Sequence, residues 1–262
     1  MLPVLVDIGF IKIYTFGVFL LLAFFWGAFS LWKNTSLTSY KEEQIFDGMF
    51  FSLLGGLICG RVLHIILHFS EFGFNILKFI LINGYPGIHV FGFIFGFMLF
   101  YFLFSQSNKI SFLKSIDYII PSFFLALAIG KLGSFFSGTE IGVQTQFFVA
   151  IPYPNMDGVR HLTSLYESIL FFLGTYLTYR FIFFVRKEQL HSGFNLLLFV
   201  WYVSLVEFVF DPLKTFRTMH NNTSIEMMIS GILLLTGTVF FIYYFRTSIK
   251  KWCLKLLKKD KH

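Results

Sequence analysis

Seven apolar stretches recur along the chain, at roughly residues 10 to 32, 45 to 68, 87 to 105, 116 to 136, 163 to 185, 193 to 210 and 224 to 245. A helix of about 20 residues crosses the hydrocarbon core of a bilayer, where the backbone must satisfy its own hydrogen bonds. Seven such windows therefore predict seven transmembrane helices. The 262 residues are 56% apolar, 21% aromatic and only 13% charged, too little polar surface to coat a soluble globule. The fold class expected is an all-α polytopic membrane protein. The 40 phenylalanines read as a compositional bias and carry no mechanism of their own. The first apolar run has no small-residue cleavage site after it and reads as a retained helix.

Charge sets the expected orientation. Thirteen of the Lys and Arg residues fall in alternate loops and the tail (Lys33, Lys41, Lys109, Lys114, Arg186, Lys187, Arg246, Lys250, Lys251, Lys255, Lys258, Lys259 and Lys261), against four in the other loops (Lys78, Arg160, Lys214 and Arg217). By the positive-inside rule the first set is cytoplasmic, which puts the N-terminus outside and the C-terminus inside, as an odd number of spans requires. The chain then reads as a multi-pass protein of the cytoplasmic membrane. Its tail from 246 to 262 holds seven of the thirteen and supplies most of the net charge of +7. Such a tail reads as an anionic-lipid anchor, and no nucleic-acid partner is expected.

No linker or repeat divides the chain, so a single membrane-embedded domain is expected. Its longest outward connection, about 137 to 162 between helices 4 and 5, contains the strand-like run Phe147 to Ile151. Turn formers follow at Pro152, Pro154, Asn155 and Asp157-Gly158. This predicts a small extracytoplasmic cap with one hairpin. Cys59 and Cys253 form no disulfide framework and no metal-ligand spacing, so neither a metal nor a cofactor is expected.

The ionisable residues at membrane depth are the functional candidates, because each needs a counter-charge, a phosphate or water. Lys131 lies in Gly130-Lys131-Leu132-Gly133-Ser134-Phe135-Phe136-Ser137-Gly138-Thr139-Glu140-Ile141-Gly142, at the end of the fourth span. Arg61 follows Gly55, Gly56 and Gly60 in the second span, where the glycines predict close helix packing. Its guanidinium needs a carboxylate, carbonyls or a lipid phosphate. His89 precedes Gly92 and Gly96 and reads either as a hydrogen-bonded interfacial residue or as an acid/base group. Glu207 in the sixth span is either half of a structural ion pair or a catalytic carboxylate, with Lys131 or Arg61 as the expected partner. Glu140 is expected near the interface. His161, Tyr166 and Glu167 form a polar lead-in to the fifth span. Arg61, His89, Lys131 and Glu207 all fall within roughly 10 Å of the outer ends of their spans, which allows one outward-facing site.

These segments resemble the prolipoprotein diacylglyceryl transferase family. The resemblance rests on Gly60-Arg61-Val62-Leu63, Gly87 to Gly96, Gly130 to Gly142, His161-Leu162-Thr163-Ser164-Leu165-Tyr166-Glu167 and Val203 to Pro212, in the family's order. It implies a seven-span bacterial inner-membrane enzyme. The diacylglyceryl group of phosphatidylglycerol moves to the lipobox cysteine thiol of a prolipoprotein signal peptide, and glycerol phosphate is released. The resemblance further implies substrate binding by Lys131, Arg61, Ser134, Gly142, His161 and Tyr166, with Glu207, His89 and Glu140 assisting proton transfer. Several positions depart from the family's pattern: Lys131 and Val203 stand where arginine is usual, Ser134 where asparagine is common, Phe91 where histidine or tyrosine is frequent, and Phe16 where tyrosine is expected. Lys214 and Arg217, in the loop after the sixth span, are candidate replacement cations. A non-catalytic paralogue that binds phospholipid or lipoprotein precursors is the alternative.

Overall fold

The computed structural model describes residues 2–9, 12–81, 84–153, 156–220 and 223–259. The turn residues Pro154 and Asn155, and the tail's side chains after Arg246, lie outside the described residues. The chain opens on a hairpin, in which β1 (Val4–Asp7) pairs antiparallel with β2 (Lys12–Tyr14). The first span thus begins later than the apolar window suggests, at Thr15. There α1 (Thr15–Thr35) starts with the Thr15 N–H bonded to the Pro3 carbonyl at 3.1 Å. It is followed by α2 (Glu42–Leu67), the short helices α3 (Phe69–Phe72) and α4 (Ile76–Ile80), α5 (Val90–Ser107) and α6 (Phe112–Ser137).

After α6 the connection forms one hairpin, with β3 (Ile151–Pro152) paired to β4 (Val159–Arg160). The expected strand at Phe147 is instead a turn. The Thr145 hydroxyl accepts from the Phe147 N–H, and the Ala150 N–H closes onto the Phe147 carbonyl. The chain continues through α7 (Thr163–Arg186), α8 (Phe194–Phe210), a 3₁₀ turn at Asp211–Leu213, the pair β5 (Met219–His220) and β6 (Thr223–Ser224), and α9 (Ile225–Lys259). Seven of these helices are long and apolar enough to cross a membrane. Many of their side chains, Phe25, Phe50, Ile58, Phe95 and Leu235 among them, are exposed on the outside of the bundle, as suits a lipid-facing surface.

The helices pack through two devices. Glycine allows contact between α2 and α5: a Cβ on Gly96 would lie 2.6 Å from the Gly55 carbonyl, and one on Gly92 3.1 Å from the Cys59 carbonyl. These glycines permit the close backbone approach expected of a small-residue seam. Between α5, α6, α7 and α8 the core is aromatic, built from Phe97, Tyr101, Phe123, Phe124, Phe171 and Phe199.

The second device is a set of buried polar stitches. Pro121 inside α6 has no N–H to give the Asp117 carbonyl one turn earlier. Asn195 of α8 supplies that bond through Nδ2 at 3.1 Å and also reaches the Thr178 carbonyl of α7 at 3.2 Å. The Asp117 carboxylate in turn accepts from the Gly193 and Asn195 N–H groups at 2.6 and 2.9 Å, satisfying the start of α8. Replacing Asp117 with alanine strands those two donors. The expected cost is about 1–3 kcal/mol, read as a lower thermal midpoint in detergent; an unchanged midpoint would show that water caps α8 instead.

Candidate functional site

At the end of the bundle where α6 stops, five charged side chains form one alternating chain. Gly138 ends α6 in the left-handed conformation, with φ of 73° that favours glycine, and turns the backbone so that Glu140 comes back over Lys131. Both Glu140 carboxylate oxygens accept from Lys131 Nζ at 2.9 Å, and the Ser164 hydroxyl donates to Oε2 at 3.1 Å. Lys131 Nζ also lies 2.6 Å from Glu167 Oε2, while Glu167 Oε1 is 2.9 Å from Lys214 Nζ. Lys214 completes the series with a 2.7 Å bond to Glu207. The order is Glu140, Lys131, Glu167, Lys214, Glu207. Glu167, fully buried, has no hydrogen-bond partner beside these two ion pairs among the described residues.

The loops fix this geometry. The 3₁₀ turn after α8 carries Lys214 back under Glu207, and the two connections are laced together: the Val143 N–H bonds the Leu213 carbonyl and the Thr215 N–H bonds the Ile141 carbonyl, both at 2.9 Å. Gly142 sits in that lacing against His161, whose carbonyl a Cβ there would overlap. Outside the spans the electrostatics are one-sided. Burial would raise the Glu140 carboxyl, but Lys131 and Lys214 outweigh it and hold it at about 2. Burial alone would lower the Lys214 ammonium; Glu207, Glu167 and Glu140 drive it well above its ordinary value instead.

Two cavities meet at Lys131 and Glu140. One, about 380 Å³, is an apolar groove among α1, α2, α5 and α6, lined by Phe16, Leu20, Phe24, Leu53, Phe93 and Phe123 and reaching Ser134. Leu20 and Phe24 are also exposed on the bundle's outer face, so the groove opens where lipid would be. The other, about 490 Å³, is polar and lined by His64, His68, His89, Glu207, Lys214, Arg217 and Glu226. Lys131 and Glu140 belong to both walls.

The candidates from the sequence divide accordingly. Lys131, Glu140, Glu207 and His89 share the polar cavity, and Ser134 lies in the groove. Arg61 does not join them. Its guanidinium donates to the carbonyls of Lys78, Phe79, Tyr85 and Gly87 at 2.7 to 3.1 Å and stacks on Phe72, so the expected clamp of Arg61 with Lys131 is not assembled. Its hydrogen bonds, made from a buried guanidinium, hold the connection between α2 and α5. The partner of Glu207 is likewise neither Lys131 nor Arg61 but Lys214. His161 and Tyr166 stack edge to face beside the laced loops, with centroids 6.5 Å apart.

His89 caps α5, its Nδ1 accepting from the Gly92 N–H at 3.4 Å. Burial lowers its pKa against the opposing pull of Glu226 and Glu207. The neutral ring must then carry its proton on Nε2, which faces Glu226 Oε1 at 3.6 Å. His89 therefore meets the cavity as a donor, and the proton-accepting role expected of it is closed to that nitrogen. Sequence reasoning named Glu167 only as part of the polar lead-in to the fifth span, and passed over Glu226. The signal for Glu167 was its place directly after Tyr166, near the start of an apolar span; for Glu226 there was none.

A multi-pass membrane protein is thus defined, with a buried ionic chain set between an apolar groove and a polar cavity. The chain belongs to the prolipoprotein diacylglyceryl transferase family, whose model matches residues 3–243. It is 29% identical over 220 residues to the phosphatidylglycerol–prolipoprotein diacylglyceryl transferase of Clostridium tetani (strain Massachusetts / E88), covering 80% of this chain and 85% of that one. To the protein of the same name from Clostridioides difficile (strain 630) it is 26% identical over 235 residues, 89% of this chain and 91% of the other. The corresponding figures for Listeria innocua serovar 6a (strain ATCC BAA-680 / CLIP 11262) are 25% over 251 residues, 92% and 89%.

Removing Lys214 leaves Glu167 and Glu207 buried with a single ammonium between three carboxylates. Lys214→Ala is expected to cost about 3–5 kcal/mol, and Glu207→Gln added to it should recover part of that loss. Equal melting of Lys214→Ala and wild type would show the ionic chain to be dispensable for stability.

Proposed function

We propose that this protein transfers the diacylglyceryl group of phosphatidylglycerol to the lipobox cysteine thiol of a prolipoprotein signal peptide, forming a thioether and releasing glycerol phosphate. The observation that carries this reading is the position of Lys131 and Glu140 on the boundary of two unlike cavities. A phospholipid has the same division: acyl chains suit the groove lined by Phe16, Phe24 and Phe123, and a glycerol phosphate headgroup suits the polar cavity. The ester phosphate then lies at the junction, beside the Lys131 ammonium.

The chemistry needs three things of the chain. The sulfur attacks the glyceryl carbon; the carbon–oxygen bond to phosphate breaks with its electron pair left on the phosphate oxygen; the thiol proton goes to a base. Lys131 offers a point charge to the departing phosphate. His89 offers a hydrogen bond through Nε2 to the headgroup. Glu140 and Glu207, the two ends of the ionic chain, both line the polar cavity and are the carboxylates assigned to proton transfer. Ser134 lies along the acyl groove; Gly142, His161 and Tyr166 shape the loops behind Glu140; and Arg61 acts on the site through the α2–α5 connection.

The asymmetry of thirteen against four basic residues favours a cytoplasmic-membrane protein with the N-terminus outside and the basic tail inside. On that orientation the site end faces outward, where a translocated signal peptide arrives, and the connection 138–162 forms a cap over a single membrane-embedded domain.

Purified protein given phosphatidylglycerol and a lipobox peptide should form the thioether-linked product, and Lys131→Ala should slow it by about 100-fold or more. Binding of phosphatidylglycerol with no product at all would identify the non-catalytic paralogue instead.

A further inference from the structure

Both ammoniums of the ionic chain are already committed. Lys131 has Glu140 at 2.9 Å and Glu167 at 2.6 Å, and Lys214 has Glu167 at 2.9 Å and Glu207 at 2.7 Å. With every group ionised, three carboxylates face two ammoniums. An arriving phosphate would make four anions around two cations, in a place with little water to screen them. One carboxylate has to give way.

The three carboxylates are not equally free to do so. Glu167 is wedged between both ammoniums with none of its side chain exposed, and Glu207, 3% exposed, is held on the rigid end of α8. Glu140 is 35% exposed, sits on a loop between Gly138 and Gly142, and touches both the acyl groove and the headgroup cavity. Besides Lys131 it is held by the Ser164 hydroxyl alone at hydrogen-bond distance among the described residues. The other charged or titratable groups that face it are Lys214, Glu167, Glu207 and Tyr153.

We infer that the lipid phosphate takes the place of Glu140 at Lys131, and that the carboxylate so released is the base that receives the thiol proton. This rests on the transferase reading above. It resolves a conflict in the resting site. Paired with Lys131, the Glu140 carboxyl lies at about 2 and is far too weak a base for a thiol. Once Lys131 turns to phosphate, its neutralising charge is shared with a second anion whose own charge lies beside the carboxylate, so the same group gains proton affinity. The base is strengthened only when donor lipid is present. In the transfer the sulfur–carbon bond forms, the carbon–oxygen bond breaks toward phosphate, and the thiol proton rests on Glu140. When glycerol phosphate leaves, Lys131 pairs with Glu140 again, and the proton passes to the departing phosphate or to water.

A competing carboxylate makes an unusual prediction: its neutral isostere binds lipid better and reacts worse. In phosphatidylcholine nanodiscs titrated with phosphatidylglycerol, Glu140→Gln should bind that lipid about tenfold more tightly than wild type, while the transfer rate at saturating lipid falls at least about 100-fold. Lys131→Gln should lose the lipid preference. Glu140→Ala provides the same comparison should the glutamine variant not accumulate, and thermal midpoints within a few degrees of wild type exclude misfolding as the cause. Unchanged or weaker lipid binding by both Glu140 variants overturns the displacement. So does full lipid binding by Lys131→Gln, which would put the phosphate on another cation of the cavity, such as Arg217. Absence of product from wild-type protein overturns the transferase reading instead, and leaves the binding comparison to be judged by itself.

Discussion

The buried alternation of Glu140, Lys131, Glu167, Lys214 and Glu207 is the constraint on which the rest of the site depends. A lone ammonium or carboxylate at this depth would cost several kcal/mol, so each member requires the next. The requirement ties the end of α6 to the start of α7 and the end of α8, and draws the loops after α6 and α8 into contact. Lys131 takes its meaning from this setting. It is both a structural counter-ion and, among the described residues, the one cation presented to the apolar groove and the polar cavity together.

The opposite end of the bundle is held by hydrogen bonds rather than by a chain of ion pairs. Asp117, Asn195 and Pro121 join α6, α7 and α8, and Ser30, Ser122, Tyr179 and Asn34 stitch α1 to α6 and α7. A cavity of about 630 Å³ lies toward that end, larger than either at the ionic chain, yet its lining is mostly apolar, with Phe181, Phe184, Phe194, Trp201 and Phe241, and holds no ionisable group among the described residues. Cavity size therefore does not distinguish the two ends of the bundle. The ionic chain does, because buried charges of both signs have a task that water or lipid cannot take over.

The same distinction explains the departures from the family's pattern. Val203 is buried among apolar neighbours, and the ammonium beside Glu207 comes from Lys214, beyond the end of the helix. Charge balance at a carboxylate does not depend on which backbone segment delivers the cation. A lysine after a tight turn supplies the ammonium at Glu207. Phe16 lines the apolar groove, where an apolar ring is at home.

The seven spans and the close packing at the glycines of the second span were legible in the sequence, since each follows from local composition and spacing. Hydrophobic length dictates a membrane helix, and a glycine pair one turn apart dictates a close approach, whatever the partner. The partners of charged residues were not legible. Arg61 called for a carboxylate, carbonyls or a lipid phosphate, and its donors go to four carbonyls of a loop; Glu167 looked like part of a polar lead-in and proved to be the centre of the ionic chain; His89 read as an interfacial hydrogen bonder or an acid/base group, and its Nδ1 caps α5. A charge reveals from sequence that it needs a counter-charge, because desolvation is a property of depth. Which group supplies it is a matter of a few ångströms, settled when turns at Gly138 and Asp211–Leu213 bring distant segments together.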